Sequence, residues 1–413
     1  LFASCKTGIN KAVQRNYVSE WKIVDSLEKR GLPKSAAEKV QALAVRARKD
    51  KNTPQMVKCL LYLGKYTATL EEDGFVKAIY SFENAEKTAK QPEKAVLQSI
   101  LGECYNLYLV QNWWTLNSRI PLNAASNPRK TLGVDLLTAD AAAIEQAALD
   151  YYAASLGDET LLRNIPLMNM GELVIRGQKD SIGGQPLRAS LWEFLADRAI
   201  EHYSDEGRTT TPPFAFVLDQ EAALAPAGEF VRSRFETRDS ASGKWLTMRL
   251  YQRILAAVYQ KADPTGYLHY DLSRLRYAYE NAVLPDKKER FETTLRALYA
   301  QYRDHPAAGE ILYRIHAEHV WSRDESEKGR LQNKAIVREL EDFVRRQPGT
   351  YGTSQCRTLL NRLQMKSLQV NTESVYLPDQ PHLVSVEYRN VGRIYVRVVR
   401  GNFAPDFPDY ISF

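Results

Sequence analysis

The sequence has few cysteines, and they lie far apart. Cys5, Cys59, Cys104 and Cys356 are the four among 413 residues, and no two of them form a Cys-x-x-Cys pair. A disulfide framework or a zinc site is therefore not expected, and we predict neither a metal nor a cofactor. Cys59 and Cys104 lie among apolar residues with helical spacing, which predicts that both are small buried side chains.

The chain also lacks a long apolar run and a strong charge of either sign. Its longest uncharged stretch, Cys104–Ser118, has 15 residues and includes several Asn and Gln side chains, so it is too short and too polar to cross a bilayer. Lys and Arg number 56 against 50 Asp and Glu, and the excess lies in residues 1–50, with 11 basic and 5 acidic side chains. Nucleic-acid-binding proteins usually carry a basic folded face, so nucleic acid is not an expected partner.

Recognisable catalytic motifs are missing as well: we find no nucleophile elbow, phosphate-binding loop, HExxH or dinucleotide fingerprint. His316 and His319 are three residues apart on a predicted helix and could share a metal, but no third ligand is evident. The favoured interpretation is a partly buried pair at a helix–helix contact, with each histidine hydrogen-bonded to neighbouring residues. Trp113 and Trp114 could form an aromatic strip for peptides, although packing between helices is favoured. The sequence therefore indicates a protein that is not an enzyme.

What the sequence does contain is a strong helical rhythm. Apolar residues repeat every three to four positions over most of the first hundred residues. The predicted helix starts there are near residues 14, 33, 54, 74 and 92. Further along, Pro264, Pro285 and Pro306 are 21 residues apart, and each precedes another such run. Residues 329–346 and 351–366 predict two more helices, and paired helices of this length are typical of TPR or HEAT solenoids.

We therefore expect a mainly α protein with three parts. Residues 1–13 form an N-terminal tether, residues 14–366 a TPR/HEAT-like array of helical hairpins (an α-solenoid), and residues 367–413 the beginning of a β-sandwich domain. Segments rich in Asn, Gly, Ser, Thr and Pro interrupt the helical region, and they predict long surface loops, a class that often carries binding sites. These insertions lie around residues 117–128, 176–186 and 204–228.

The composition changes abruptly at residue 367. The last 47 residues contain no lysine, one alanine and eight valines. Residues 383–389 and 393–400 alternate apolar and polar side chains around an Asn-Val-Gly turn, which predicts a β-hairpin, and residues 368–370 predict an earlier strand. Three strands with an open edge make a poor domain alone. We expect the β-domain to continue beyond Phe413 and a segment to precede Leu1.

The first five residues end in Ala-Ser-Cys. This string resembles the end of a lipoprotein signal, in which small residues precede a cysteine that is acylated after cleavage. Phe2 occupies the position three before the cysteine, where leucine or a small aliphatic residue is usual. A lipidated Cys5 would anchor the protein to a membrane surface without a spanning helix. The alternative, an accidental Ala-Ser-Cys, stays open.

Several strings resemble the large bacterial alpha-2-macroglobulin family. Near the N-terminus these are Tyr17–Leu27, Gly31–Ala36 and Leu97–Tyr105. Toward the C-terminus, Leu377-Pro378 and Val386–Val391 are similar to the first macroglobulin-type β-sandwich that follows the helical region in such proteins. The resemblance spans most of the chain and includes no catalytic motif.

This resemblance implies a cell-envelope protein, periplasmic or at the surface and often a lipoprotein, that traps proteases. In the family a protease cuts an exposed bait segment, the protein rearranges around it, and in many members a Cys-Gln thioester captures it. We find neither a bait segment nor a Cys-x-Glu-Gln motif here, so no cysteine is assigned as the thioester residue. The implied partners are proteases or other proteins and downstream macroglobulin domains of the same chain, with membrane contact only through Cys5.

Two functions are therefore expected. The first is the N-terminal helical module of an alpha-2-macroglobulin-like envelope protease inhibitor. The second is a helical-repeat scaffold that binds a peptide or partner protein on a concave face. The helical rhythm alone explains the scaffold function. The change to β-structure and the presence of Cys5 favour the inhibitor function.

Overall fold

The structure is a computed structural model, and most of its described residues are helical, which confirms the predicted mainly α class. It describes residues 17–119, 132–174, 181–182, 185–205, 216–259, 261–322, 326–372 and 380–396. The predicted tether with Cys5 lies outside the described residues. The chain divides into two compact units, Leu1–Ala307 (unit 1) and Ala308–Phe413 (unit 2). The predicted domain limit at residue 366 stays a prediction.

Unit 1 is built from helices joined mostly by short turns. In chain order they are α1 (residues 17–29), α2 (Pro33–Lys49), α3 (Thr53–Leu70), α4 (Gly74–Thr88), α5 (Glu93–Gln111), α6 (Trp113–Asn117), α7 (Ala141–Ser155), α8 (Glu159–Arg163), α9 (Leu191–Ser204), α10 (Ala227–Arg232), α11 (Gly243–Val258), α12 (Thr265–Asn281) and α13 (Lys287–Tyr302). A short ribbon pairs β1 (Ser181–Ile182) with β2 (Gln185–Pro186). The starts predicted near residues 33, 54, 74 and 92, and those after Pro264 and Pro285, are confirmed.

Local sequence explains where the first helices begin and end. Gly31 has a φ of 71°, a left-handed conformation that glycine adopts without steric penalty, and Pro33 then opens α2, where its missing N–H is not needed. Asn52 caps α3, because its Oδ1 accepts a hydrogen bond from the Gln55 N–H at 3.3 Å. Turn residues and caps thus separate one helix of each hairpin from the next.

Two apolar clusters form the core of the first half of unit 1. One joins α1, α2 and α3, and it includes Tyr17, Trp21, Val24, Ala36, Val40 and Leu43. The indole Nε1 of the buried Trp21 donates to Gln55 Oε1 at 2.7 Å, so its polar atom is satisfied. The second cluster joins α4, α5 and α7. Helix α5 is central to it and contacts α3, α4, α7 and α9.

Tyrosine hydroxyls fix the irregular segment that precedes α7. Tyr80 Oη accepts from the Leu136 N–H at 3.2 Å, and Tyr105 Oη accepts from the Val134 N–H at 3.1 Å. Tyr108 Oη donates to the Leu136 carbonyl at 3.3 Å. Backbone groups outside regular structure need such partners when they are buried, so this part of the chain is held against α4 and α5.

The end of the insertion at 204–228 differs from the expected surface loop. Residues 221–224 form a 3-10 turn in which Ala223 is fully buried. Arg274 of α12, also fully buried, donates to the carbonyls of Ala223 and Ala225 at 2.9 Å each and pairs with Asp271. The prediction is wrong for this part, because a buried arginine supplies the hydrogen bonds that the loop backbone needs.

Unit 2 contains three helices and a two-stranded ribbon. They are α14 (Ala308–Ser322), α15 (Glu327–Arg346), α16 (Tyr351–Gln364), β3 (Ser367–Thr372) and β4 (Val384–Arg389). The predicted helix after Pro306, the two helices that follow it, and the change to β-structure at residue 367 are therefore confirmed. None of the helices in the described part of either unit is long and apolar enough to cross a bilayer.

Helices α14 and α16 touch through their backbones. A Cβ added to Gly352 would lie 2.8 Å from the Cα of Gly309, and one added to Gly309 would lie 2.6 Å from the carbonyl carbon of Gly352. Such distances are shorter than van der Waals contact, so only glycine fits at both positions. The buried Cys356 thiol, one turn further along α16, donates to the Gly309 carbonyl at 3.3 Å.

The three buried cysteines are expected to be unreactive at neutral pH. Cys59 and Cys104 are buried, as predicted, and so is Cys356. Burial raises the pKa of each of these three thiols to about 12. At neutral pH they are therefore protonated, and a protonated thiol is a poor nucleophile.

The β3–β4 ribbon has one apolar and one polar face. In an antiparallel pair, directly opposite residues lie on the same face, and neighbours along a strand alternate. The register places five apolar side chains together, namely Leu368, Val370, Val384, Val386 and Tyr388, which we call the apolar ribbon face. Val370 is 52% and Tyr388 62% exposed, so much of this face is open among the described residues.

The predicted hairpin partner of β4 is wrong for the described residues. β4 pairs with β3, residues 393–396 are not in a strand, and residues 397–400 lie outside the description. Asn390, with a φ of 54°, donates its side-chain amide to the carbonyls of Leu363 at 2.7 Å and Met365 at 3.0 Å. These bonds tie the chain after β4 to the end of α16 instead of turning it back along β4.

Candidate functional site

Unit 2 contains a groove of about 600 Å³ between α15 and the end of β4. Helix α15 forms one wall with Arg330, Asn333, Lys334, Val337 and Arg338. Val320 of α14 and Leu363 of α16 contribute apolar surface, and Tyr388 and Arg389 of β4 form the opposite wall. We call this concavity the basic groove.

The sequence of α15 explains how its wall is positioned. Ser326 caps the helix by accepting the Gly329 N–H on its Oγ at 3.0 Å. Ile336, Leu340 and Phe343 are buried and fix the rotation of the helix in unit 2. Arg330, Lys334 and Arg338 follow at intervals of four residues, so they form a row with about 6 Å of rise between neighbours.

The charges of the basic groove are all positive. Its lining includes Arg330, Lys334, Arg338 and Arg389 and contains no Asp or Glu. Within the described part of the chain, none of these four side chains makes a hydrogen bond or an ion pair. The three on α15 are exposed and Arg389 is half-buried. Like charges four residues apart repel by a few tenths of a kcal/mol per pair, a repulsion that a bound anion would relieve.

The two histidines contact the α15 wall, and His319 itself lines the groove. His316 Nε2 is 2.7 Å from Glu339 Oε2, and His319 Nε2 is 3.0 Å from Asn333 Oδ1, so each imidazole of α14 is hydrogen-bonded to α15. These contacts agree with the interpretation of a pair at a helix–helix contact. Among the described residues there is no group of three or more His, Cys, Asp or Glu that could hold a metal ion.

The two tryptophans lie in unit 1 and do not belong to this site. Trp113 is partly buried against the cluster of α4, α5 and α7, as the packing interpretation predicted. Trp114 is 86% exposed, so that interpretation is wrong for it. The pair sits at a break between α5 and the short α6, where only one of two adjacent side chains can face the core.

Sequence reasoning missed the four cations of the basic groove, although it singled out His319, which also lines it. The spacing of Arg330, Lys334 and Arg338 on a strongly amphipathic helix was a usable signal, because residues at i, i+4 and i+8 share a face. Arg389 carried no such signal. It reaches the groove because Asn390 ties the end of β4 to α16.

Comparison with known proteins gives no match. No family model, no curated protein and no solved structure matches this chain. The lining offers guanidinium, ammonium, amide and phenol groups around a small apolar floor, an arrangement suited to binding an anionic ligand.

Proposed function

We propose that the chain is a TPR/HEAT-like scaffold of helical hairpins that binds a partner protein, and that the basic groove receives a negatively charged segment of that partner. The observation that carries the proposal is the set of four cations in one groove whose lining contains no Asp or Glu.

The size and spread of the site support a chain segment as ligand. From Arg330 to Arg338 the row rises about 12 Å along α15, a span that about four residues of extended chain would match. Arginine forks bind carboxylates in pairs of parallel hydrogen bonds. Exposed ion pairs contribute about 0.2–1 kcal/mol each, so the four cations together would supply roughly 2 kcal/mol.

Charge reversal tests this proposal. A fluorescein-labelled peptide of about ten residues that alternates Glu and Ser should bind the protein, and an otherwise identical Lys/Ser peptide should not. The variant Arg330→Glu, Lys334→Glu, Arg338→Glu should weaken binding of the acidic peptide at least about thirtyfold, because attraction becomes repulsion. Fluorescence anisotropy at low and high salt measures the effect.

The matched control changes the same charge elsewhere in unit 2. Lys328, Arg345 and Arg357 do not line the basic groove, so replacing all three by Glu should leave the affinity within about threefold at moderate salt. Equal loss in both triple variants, or equal binding of acidic and basic peptides, would show that the groove is not the docking site.

A second function is favoured by the β3–β4 ribbon. Its apolar face is exposed, as expected where a larger β-domain begins, and it follows a helical region as in the alpha-2-macroglobulin family that the sequence resembles. In this second proposal the chain is the N-terminal helical module of an envelope protease inhibitor, periplasmic or at the surface, with Cys5 as its lipid anchor. Its partners are then proteases and the downstream domains of the same chain.

Protease treatment of the full-length protein tests the inhibitor function. A small amount of trypsin should cut one internal site and then co-elute with the cleaved protein in size-exclusion chromatography. The activity of the trapped trypsin on large substrates should fall. The Cys5→Ser variant should leave the membrane fraction and still trap trypsin. Free trypsin after cleavage, or progressive digestion without a complex, contradicts this second proposal.

A further inference from the structure

Tyr388 links the basic groove to the apolar ribbon face. It lines the groove beside Arg389, and its cross-strand partner Leu368 begins the row of apolar residues along the ribbon. We propose that the ligand of the groove is bipartite: acidic residues lie on the cations, and apolar residues that adjoin them in the ligand pack on the apolar ribbon face. This inference rests on the proposed function of the groove.

The geometry makes the two surfaces continuous. From Tyr388 the apolar side chains run along β4 through Val386 to Val384, about 13 Å away at 3.3 Å per residue. Val370 lies opposite Val386 and widens the face. An extended ligand segment would place alternate side chains on it, so the apolar part should carry an apolar residue at every second position.

The two faces of the ribbon explain why only one of them would be used. The opposite face presents Gln369, Asn371, Ser385 and Glu387, with Arg389 at the end that reaches the groove; these side chains are polar and need no apolar cover. The apolar face has Val370 at 52%, Val384 at 48% and Tyr388 at 62% exposure. Covering these side chains removes apolar surface from water, which strengthens binding independently of charge.

Three labelled peptides test the inference: the acidic Glu/Ser peptide alone, the same peptide followed by Val-Ser-Val-Ser-Val, and the same peptide followed by Ser-Ser-Ser-Ser-Ser. Each flank is also tried before the acidic part, since either chain direction fits. We expect one valine-flanked peptide to bind about tenfold more tightly than the serine-flanked peptide. The gain should persist at high salt, where the acidic contribution is screened.

Neighbouring residues of β3 provide the matched variants. Val370→Ser should abolish the tenfold gain, whereas Gln369→Ser, on the polar face, should keep it. Both side chains are exposed, and circular dichroism should show that both variants fold. Loss of the gain in both variants would overturn the inference.

The outcomes separate the inference from the proposed function. If acidic peptides bind and the valine flank adds nothing, the bipartite ligand is wrong and the groove function stands. If no acidic peptide binds, both fail. Analytical ultracentrifugation shows whether the protein dimerises as its concentration rises. If it does and Val370→Ser makes it monomeric, the apolar ribbon face binds a second copy of the chain, which also overturns the inference.

Discussion

Replacing Gly352 by alanine should destabilise unit 2 by about 3 kcal/mol, because the new methyl group meets backbone that cannot rotate away. It would lie 2.8 Å from Gly309 Cα and 2.9 Å from the Glu310 nitrogen. The α14 and α16 backbones would have to separate, and the Cys356 thiol would lose its bond to the Gly309 carbonyl. Hydrogen exchange followed by mass spectrometry should show faster exchange across both helices.

Gly266 in α12 gives the matched control for this experiment. A Cβ there meets its nearest neighbour, the Leu187 carbonyl oxygen, at 3.8 Å, which is an ordinary contact. Gly266→Ala should therefore be neutral or stabilise by up to about 1 kcal/mol through helix propensity. Unchanged protection of α14 and α16 in Gly352→Ala would contradict the close backbone contact.

Replacing Asp271 by alanine should destabilise unit 1 by about 3–5 kcal/mol, since it leaves a buried guanidinium without its carboxylate. Arg274 and Asp271 are 0% and 1% exposed, so water cannot take the place of the lost partner. Arg274 would also hold the carbonyls of Ala223 and Ala225 less firmly. Differential scanning calorimetry should show a lower transition temperature, and hydrogen exchange followed by mass spectrometry should show faster exchange at the 3-10 turn of residues 221–224.

An exposed ion pair on the same helix serves as control. Arg276 and Glu280 of α12 lie 2.9 Å apart but are 65% and 53% exposed. Glu280→Ala should therefore cost less than about 0.5 kcal/mol. Similar losses in Asp271→Ala and Glu280→Ala would mean that the buried pair is not a structural anchor.

The helix positions could be predicted from the sequence because their signals are local. Gly31 and Pro33, the Asn52 cap and the prolines before α12 and α13 act on neighbouring backbone and need no knowledge of the rest of the fold. Helix α7 escaped individual prediction for a related reason. It is rich in alanine and buried on several sides, so it lacks the one-sided apolar stripe that identifies a helix.

Long-range choices could not be predicted in the same way. Residues 393–400 have as good a strand pattern as residues 367–372, yet β4 pairs with residues 367–372, and Asn390 bonds the chain after β4 to the end of α16. The basic groove was hidden for the same reason. The four-residue spacing of Arg330, Lys334 and Arg338 on α15 can be seen in the sequence. Arg389 comes close to these residues only because β4 ends beside α15.

The placement of α5 has a practical consequence for dividing the protein. Because α5 packs on α3 and α4 before it and on α7 and α9 after it, its apolar surface is shared by early and late parts of unit 1. A fragment that stops after residue 119 would leave the part of that surface that packs on α7 and α9 exposed to solvent and prone to aggregation. Expression of shorter pieces should therefore keep everything up to residue 307 together.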